Sequence, residues 1–321
     1  MSRVLVTGGG GFIGAMMVEH LIQDHPEMTV RTMDLNNTHH QNVETVNGSI
    51  LDVNSISEAV HGCDLVIHMA AMLGVRRTEI KRMECLNINI QGTVNLMDAC
   101  AKERVQKVLF ISSSEVYGEP RESPIQETTP LNPKSIYAVS KLAGEEYVKA
   151  YSEKYGFDYS IVRFFNIYGP RQVPEFVIPR FVRAVLEGKP LTVYGTGDQV
   201  RTFCYVTDAV RGAAAVLLKD ASNGEIFNIG NDVDTISIKA LASKIVALSE
   251  RDVEIQFVPM NKSDRDPSRE IQNRLLDLTK AREMLNYELN IGLDDGIKRV
   301  MDTWFDVSPN REQLDDELIQ G

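Results

Sequence analysis

The strongest constraint on this chain lies in its first fourteen residues. Arg3–Val6 is a short apolar run, and Thr7-Gly8-Gly9-Gly10-Gly11-Phe12-Ile13-Gly14 follows it and opens into the helical periodicity of Ile13–Gln23. A glycine-rich turn between a strand and a helix lets backbone N–H groups and a helix N-terminus approach a pyrophosphate that any Cβ would hold off. The spacing assigns Gly8 to the tight turn, Gly11 to close approach and Gly14 to helix–sheet packing, with Phe12 and Ile13 beside the phosphates. Asp34 stands twenty positions beyond Gly14, at the end of the next strand-like run. A carboxylate there accepts from a ribose 2′-OH and repels a 2′-phosphate, and Leu35-Asn36-Asn37 adds no arginine. The pattern therefore favours NAD over NADP. Asp52, after Ser49-Ile50-Leu51 at the expected end of a third strand, reads equally as an acceptor for the adenine amino group and as a helix N-cap.

The rest of the first half repeats the same rhythm. Strand-like runs at Met28–Met33, Leu65–His68, Lys107–Ser112 and Tyr159–Arg163 alternate with helical stretches, clearest at Leu86–Lys102 and Ile136–Tyr155. Short buried strands between helices predict an α/β fold with a Rossmann-type, doubly wound parallel sheet. After Gly169-Pro170 the texture shifts to short strands such as Leu191–Tyr194 and Val200–Val206, with helices at Asp208–Leu218, Ile238–Ser249 and Leu293–Phe305. We expect residues 1–168 to form the NAD-binding domain, with part of 206–232 returning to it. Residues 169–307 mainly form a smaller mixed α/β C-terminal substrate domain, and 308–321 an acidic tail. A length of 321 residues suits this division.

Charge and composition narrow the partners. A net charge of −11 repels phosphate backbones, so no nucleic acid is expected. No apolar stretch approaches the roughly 18 residues that span a bilayer, and Met1-Ser2-Arg3 leads straight into a strand, so a cytoplasmic protein with no membrane contact is expected. Cys63, Cys85, Cys100 and Cys204 form no CxxC pair and read as reduced, buried thiols. The six histidines show no metal-ligand spacing, so no metal is expected.

Chemistry enters with Tyr137 and Lys141, four apart on one helix face. An ammonium at that spacing is expected to lower the phenol pKa, so that tyrosinate takes a proton from a sugar hydroxyl. Upstream, Ser112-Ser113-Ser114-Glu115-Val116-Tyr117-Gly118 ends a strand, and ligands of open parallel sheets bind beyond strand carboxyl ends. The serines and the Tyr/Lys pair thus meet at the edge that carries the glycine turn.

Taken in order, these motifs resemble the extended short-chain dehydrogenase/reductases of the nucleotide-sugar epimerase/dehydratase family, from Arg3 to about Phe305. The resemblance rests on Thr7–Gly14, His68-Met69-Ala70-Ala71, Asn89-Ile90-Gln91-Gly92-Thr93, Ser112–Gly118, Tyr137–Lys141, Arg163–Pro170 and the run Gln199–Asp208. It implies an NAD-dependent enzyme, with Ala70 against the cofactor, Ser113 bonded to the reacting sugar oxygen, Tyr137 as base and Lys141 as its partner. It implies that Asn166 and Arg201 hold the substrate diphosphate, joined by Arg265 or Arg269, and that Ser114 also faces the substrate. A homodimer built through the helices near Leu86–Lys102 and Ile136–Tyr155 is implied as well.

The reaction itself stays open between readings that share a 4-keto sugar. A UDP-sugar 4-epimerase returns hydride to the opposite face. An NDP-sugar 4,6-dehydratase needs a C5 base, for which Glu115 is placed, and an acid; the aspartate of many dehydratases is Ser114 here. A UDP-glucuronate decarboxylase acts on a uronate, for which an arginine is expected near Val173; Arg76, Arg77 or Arg171 are the substitutes. The epimerase is the favoured reading, with Glu115 then a structural acceptor. A non-catalytic NAD-binding regulator is the alternative of another class, although such regulators typically lack the Tyr/Lys pair retained here.

Overall fold

In the computed structural model, which describes residues 2–36, 43–262 and 271–307, the short apolar runs of the first half become strands and the periodic stretches become helices. The strands are β1 Arg3–Thr7, β2 Thr29–Asp34, β3 Glu44–Asn47, β4 Leu65–His68, β5 Lys107–Ser113 and β6 Asp158–Phe164. Between them lie α1 Phe12–Asp24, α2 Val53–Val60, α3 Val75–Ile80, α4 Arg82–Leu86, α5 Gly92–Glu103 and α6 Ile136–Tyr155. Next come β7 Ile167–Tyr168, α7 Val177–Leu186, β8 Leu191–Tyr194, β9 Val200–Thr202, β10 Cys204–Tyr205, α8 Val206–Leu218 and β11 Ile226–Ile229. The last elements are β12 Thr235–Ser237, α9 Ile238–Ser249, β13 Ile255–Val258, β14 Asn273–Arg274, α10 Thr279–Leu285 and α11 Leu293–Val307.

Seven strands pair in the order β11-β6-β5-β4-β1-β2-β3, all parallel. Val4, Leu5, Val6, Val66, Ile67, Val108 and Leu109 are fully buried, as strands covered on both faces must be. This is the doubly wound sheet expected from the alternation. Strand order reverses between β1 and β4, which opens a crevice at their carboxyl ends. The chain beyond β6 divides its allegiance. β11 completes the main sheet and α8 packs on α1, whereas β7 with β10, β12-β9-β14, and β13 with β8 form three small sheets.

Three local expectations are revised. Val200–Val206 is not one strand: β9 runs antiparallel to β12, and β10 parallel to β7, with buried Phe203 between them. Ser49–Leu51 forms a turn rather than a strand end, and Asp52 caps α2, accepting from Asn54 N–H (3.0 Å) and Ser55 Oγ (2.6 Å). The helix expected over Leu86–Lys102 carries a π-turn at Asn87–Gln91. That turn buries Asn89, which accepts from Met72 N–H (2.7 Å) and donates to Met72 O (3.0 Å) and Ser140 Oγ (2.9 Å). Such bulges recur near functional sites because they re-aim one side chain.

Two buried polar networks tie the layers together. Arg163 on β6 and Glu145 on α6 form a bidentate pair, Nη2–Oε2 2.6 Å and Nε–Oε1 3.0 Å, with 2% and 0% side-chain exposure. Burial alone would lower the Arg163 pKa, but the bonds and charge of Glu145 drive it up. Ser112 Oγ also donates to Glu145, and Arg163 Nη1 reaches Tyr117 Oη at 2.8 Å. The second network centres on His68. Thr7 Oγ1 accepts from Met69 and Ala70 N–H, and Thr93 Oγ1 donates to Asn89 O. Thr7 therefore donates to His68 Nδ1 (2.8 Å), and His68 Nε2 carries the ring proton towards Thr93 (3.0 Å). Burial, aided by the Lys141 charge, pulls the His68 pKa down to about 3.

All four cysteines are buried and free. Among the described residues no three or more His, Cys, Asp or Glu side chains gather as a metal site, and no helix is long and apolar enough to cross a membrane.

Breaking the ion pair from one side strands a buried charge. Glu145→Leu should cost about 3–5 kcal/mol in urea unfolding, while Glu145→Leu with Arg163→Met should recover most of that loss. For His68 the unfolded imidazole titrates near 6.5 and the folded one near 3. The unfolded chain thus gains a proton that the fold refuses, and stability falls as pH drops from about 6.5 towards 3. Unfolding curves between pH 7 and pH 4 should lose up to about 1.4 kcal/mol of slope per pH unit in His68→Gln relative to the unaltered protein.

Candidate active site

The floor of the crevice is the turn between β1 and α1. Gly8 has φ +76°, donates to Met33 O at 2.7 Å, and a Cβ there would sit 2.8 Å from Ala70 N. A Cβ on Gly14 would overlap the Gly8 carbonyl oxygen, so α1 can pack against the turn only with no side chain at that position. Gly11 N–H closes the turn onto Gly8 O at 3.0 Å, and no side chain caps α1. Its first N–H groups are left for a phosphate of the dinucleotide, which would satisfy them. Asp34, at the carboxyl end of β2, accepts from Gly10 N–H (2.9 Å) and Asn36 N–H (3.2 Å). The carboxylate is thus held beside the glycine turn, the place a dinucleotide ribose requires. Phe12 and Ile13 are half-buried at the start of α1, and Ala70 lies across from Gly8. This cradle, which added Cβ atoms would fill, fits NAD. Asp52 belongs to the nearby α2 cap, with both carboxylate oxygens bonded there.

The reactive groups gather at the end of β5. Ser113 Oγ accepts from Glu115 N–H at 3.2 Å and so caps the short 3₁₀ turn Ser114–Tyr117, leaving its own proton to be donated elsewhere. Ser114 is buried in that turn. Glu115 Oε2 accepts from Ser135 Oγ at 2.9 Å. Ser135 Oγ in turn accepts from Ala138 N–H at 3.0 Å and caps α6. Tyr137 stands in the first turn of α6, half-buried, and Lys141 one turn further is buried. Lys141 Nζ lies 5.9 Å from the Tyr137 ring centre and donates to Ile111 O at 2.8 Å.

The electrostatics differ from the sequence expectation in one respect. Burial pulls the Lys141 ammonium down to about 8. Tyr137 is raised instead of lowered, first by burial and then by the charge of Glu115 and the nearby Cys85 thiol. The lysine spends a donor on a β5 carbonyl, and desolvation dominates at the phenol.

On the opposite wall, Asn166 has φ +45° and donates from Nδ2 to Thr202 O at 2.9 Å. Arg201, next along β9, is buried, and its Nη1 donates to Val200 O (2.8 Å) and Gln272 O (3.1 Å). Asn166 and Arg201 therefore lie on adjoining segments. Arg265 and Arg269 lie outside the described residues. Arg171 pairs with Glu19 on α1 at 3.1 Å, and Arg76 N–H donates to Glu175 Oε1 at 3.3 Å.

Sequence reading overlooked Ser135 and Glu145. Ser135 had a signal, a serine just before the helical run of Tyr137–Lys141. Glu145 had none, since a glutamate on a helix, here followed by Glu146, ordinarily marks its wet face.

Comparison with known proteins identifies the family. Residues 4–230 match the model of the NAD dependent epimerase/dehydratase family. The UDP-N-acetyl-alpha-D-glucosaminuronate decarboxylase of Bacillus cytotoxicus is 38% identical over 317 residues, covering 94% of this chain and 97% of that one. The dTDP-D-glucose 4,6-dehydratase of Bos taurus is 36% identical over 259 residues, 77% of this chain and 72% of the other. Among solved structures, the UDP-glucuronic acid 4-epimerase of Bacillus cereus, in complex with UDP-glucuronic acid and NAD, superposes with a TM-score of 0.87 at 30% identity over 95% of this chain and 99% of that one. This chain belongs to the NAD-dependent epimerase/dehydratase family, with NAD as its cofactor.

Proposed function

We propose that the protein is a UDP-sugar 4-epimerase acting through a 4-keto sugar. The observation that carries the 4-keto step is the convergence of Ser113, Tyr137 and Lys141 at the carboxyl end of β5, beside the glycine cradle, and Ser114 in place of the aspartate of many dehydratases favours the epimerase. Tyr137 takes the proton of the C4 hydroxyl, and the Ser113 hydroxyl donates to the same oxygen. NAD, when bound, supplies the reversible hydride exchange at that carbon and a positive nicotinamide charge that favours the phenolate. Lys141, held by Ile111 O, adds the second positive charge. Once the keto sugar presents its other face, Tyr137 returns the proton to the C4 oxygen. Gly8, Gly11, Gly14 and Asp34 hold the dinucleotide, and Asn166 and Arg201 hold the substrate diphosphate, a fixed guanidinium fork suiting that group better than an ammonium.

A lyase is the second reading, and Glu115 is the observation that favours it. Its carboxylate stands beside Tyr137, where a C5 base would act, and the decarboxylase and dehydratase relatives are as similar as the epimerases. Against it, Ser114 stands where many dehydratases carry an aspartate, and Arg171 is engaged with Glu19. Purified protein with NAD and a panel of UDP-, GDP- and dTDP-sugars separates the two by mass spectrometry and proton NMR. We expect a new sugar of unchanged mass; loss of water or CO₂ would replace the epimerase with the lyase. Tyr137→Phe should slow turnover at least about 10²-fold while NAD stays bound, whereas a regulator would show no turnover to lose.

We also propose a homodimer, in a cytoplasmic setting that the free, buried cysteines suit. Val139 and Tyr147 on α6 and Met83 on α4 are exposed, an apolar surface that a second copy would cover. Sedimentation should give a dimer, and Val139→Glu with Met83→Glu should give monomers.

A further inference from the structure

Two groups must meet the same sugar oxygen, yet they come from different elements. Ser113 ends β5, and Tyr137 starts α6. Nothing in the backbone ladder of the sheet fixes their separation. Lys141 and Glu145 tie the body of α6 to β5 and β6, and a chain of three hydrogen bonds joins its first turn to the end of β5. Ser113 Oγ accepts from Glu115 N–H (3.2 Å), Glu115 Oε2 accepts from Ser135 Oγ (2.9 Å), and Ser135 Oγ accepts from Ala138 N–H (3.0 Å) in the turn that carries Tyr137.

We propose that Glu115 and Ser135 are positioning residues that bridge the 3₁₀ turn after β5 to the N-terminus of α6, setting the distance between Ser113 and Tyr137. The inference deepens the 4-keto reading above and rests on it. Ser135 has one hydroxyl proton, and the α6 cap uses only its lone pair, so the proton is directed to Glu115. The glutamate is held from both ends, its N–H by Ser113 and its side chain by Ser135. An acceptor is all the bridge asks of residue 115. A glutamine supplies one and an alanine does not, which separates this role from that of a proton-transferring carboxylate.

The test compares holoenzyme variants on the UDP-sugar that the unaltered protein converts, following kcat, KM and the absorbance of reduced nicotinamide. Glu115→Ala and Ser135→Ala should each lower kcat by roughly 10- to 100-fold with KM little changed, the scale expected for an ångström of misplacement. The double variant should be no worse than either single one, because both cut the same chain. Glu115→Gln should recover at least about tenfold over Glu115→Ala, and Ser135→Thr should likewise recover activity over Ser135→Ala. Ser135→Asp guards against simple loss of the helix start: aspartate caps helices well, so thermal stability should hold, but it has no proton to donate and should be as slow as Ser135→Ala. Full kcat in Ser135→Asp, or a Glu115→Gln as slow as Glu115→Ala, overturns the bridge, the latter in favour of Glu115 as a proton carrier. An unaltered protein that converts no UDP-, GDP- or dTDP-sugar overturns the 4-keto reading and the bridge with it.

Discussion

The pairing of Arg163 with Glu145 is the interaction on which the working geometry depends. It fastens α6 to β6 at the back of the sheet, and α6 carries Tyr137 and Lys141. The same guanidinium reaches Tyr117, so the turn that contains Glu115 is tied to the same point. β6 runs on to Asn166, on the substrate side. Two charges withdrawn from water are costly unless their bonding capacity is met, and here Ser112 and Tyr117 complete it. The pair contributes definition of position more than net stability: an apolar replacement would fill the space without fixing the rotation of α6 about its axis.

Around the crevice the protein controls which groups carry charge. His68 is neutral, its proton fixed on Nε2 by a closed chain of hydroxyls and carbonyls. Lys141 is the cation beside Tyr137, and its burial brings it within reach of deprotonation near pH 8. Glu115 is the opposing anion. The glycine turn contributes no formal charge but presents N–H dipoles, as a pyrophosphate requires.

Legibility followed the kind of physics involved. The parallel sheet was readable because strand and helix periodicities are local, and the glycine turn because steric exclusion leaves glycine alone at Gly8 and Gly14. Tyr137 and Lys141 were readable from helix spacing, but the direction of the Tyr137 shift was not. It depends on burial and on Glu115, which approaches through Ser135, twenty residues away along the chain. The break at Phe203 escaped notice because Val200–Val206 has strand composition throughout, and only long-range pairing divides it between two sheets. Glu145 was illegible for the reason already apparent in the fold: its partner lies on a strand, eighteen positions on.

That break at Phe203 has a mechanical meaning. β9, with Arg201, belongs to one small sheet; β10 belongs to another and is fastened through Cys204 N–H to Asn166 O. One residue separates them, so the two small sheets are joined with almost no slack. A rotation of the outer sheet pulls on Asn166 directly through its bond to Thr202 O, as well as through Phe203. In a receptor with a long hinge, seizing a ligand and aligning it are separate motions. Here the lever is too short to separate them: a displacement of Arg201 reaches Asn166 across one residue and one hydrogen bond.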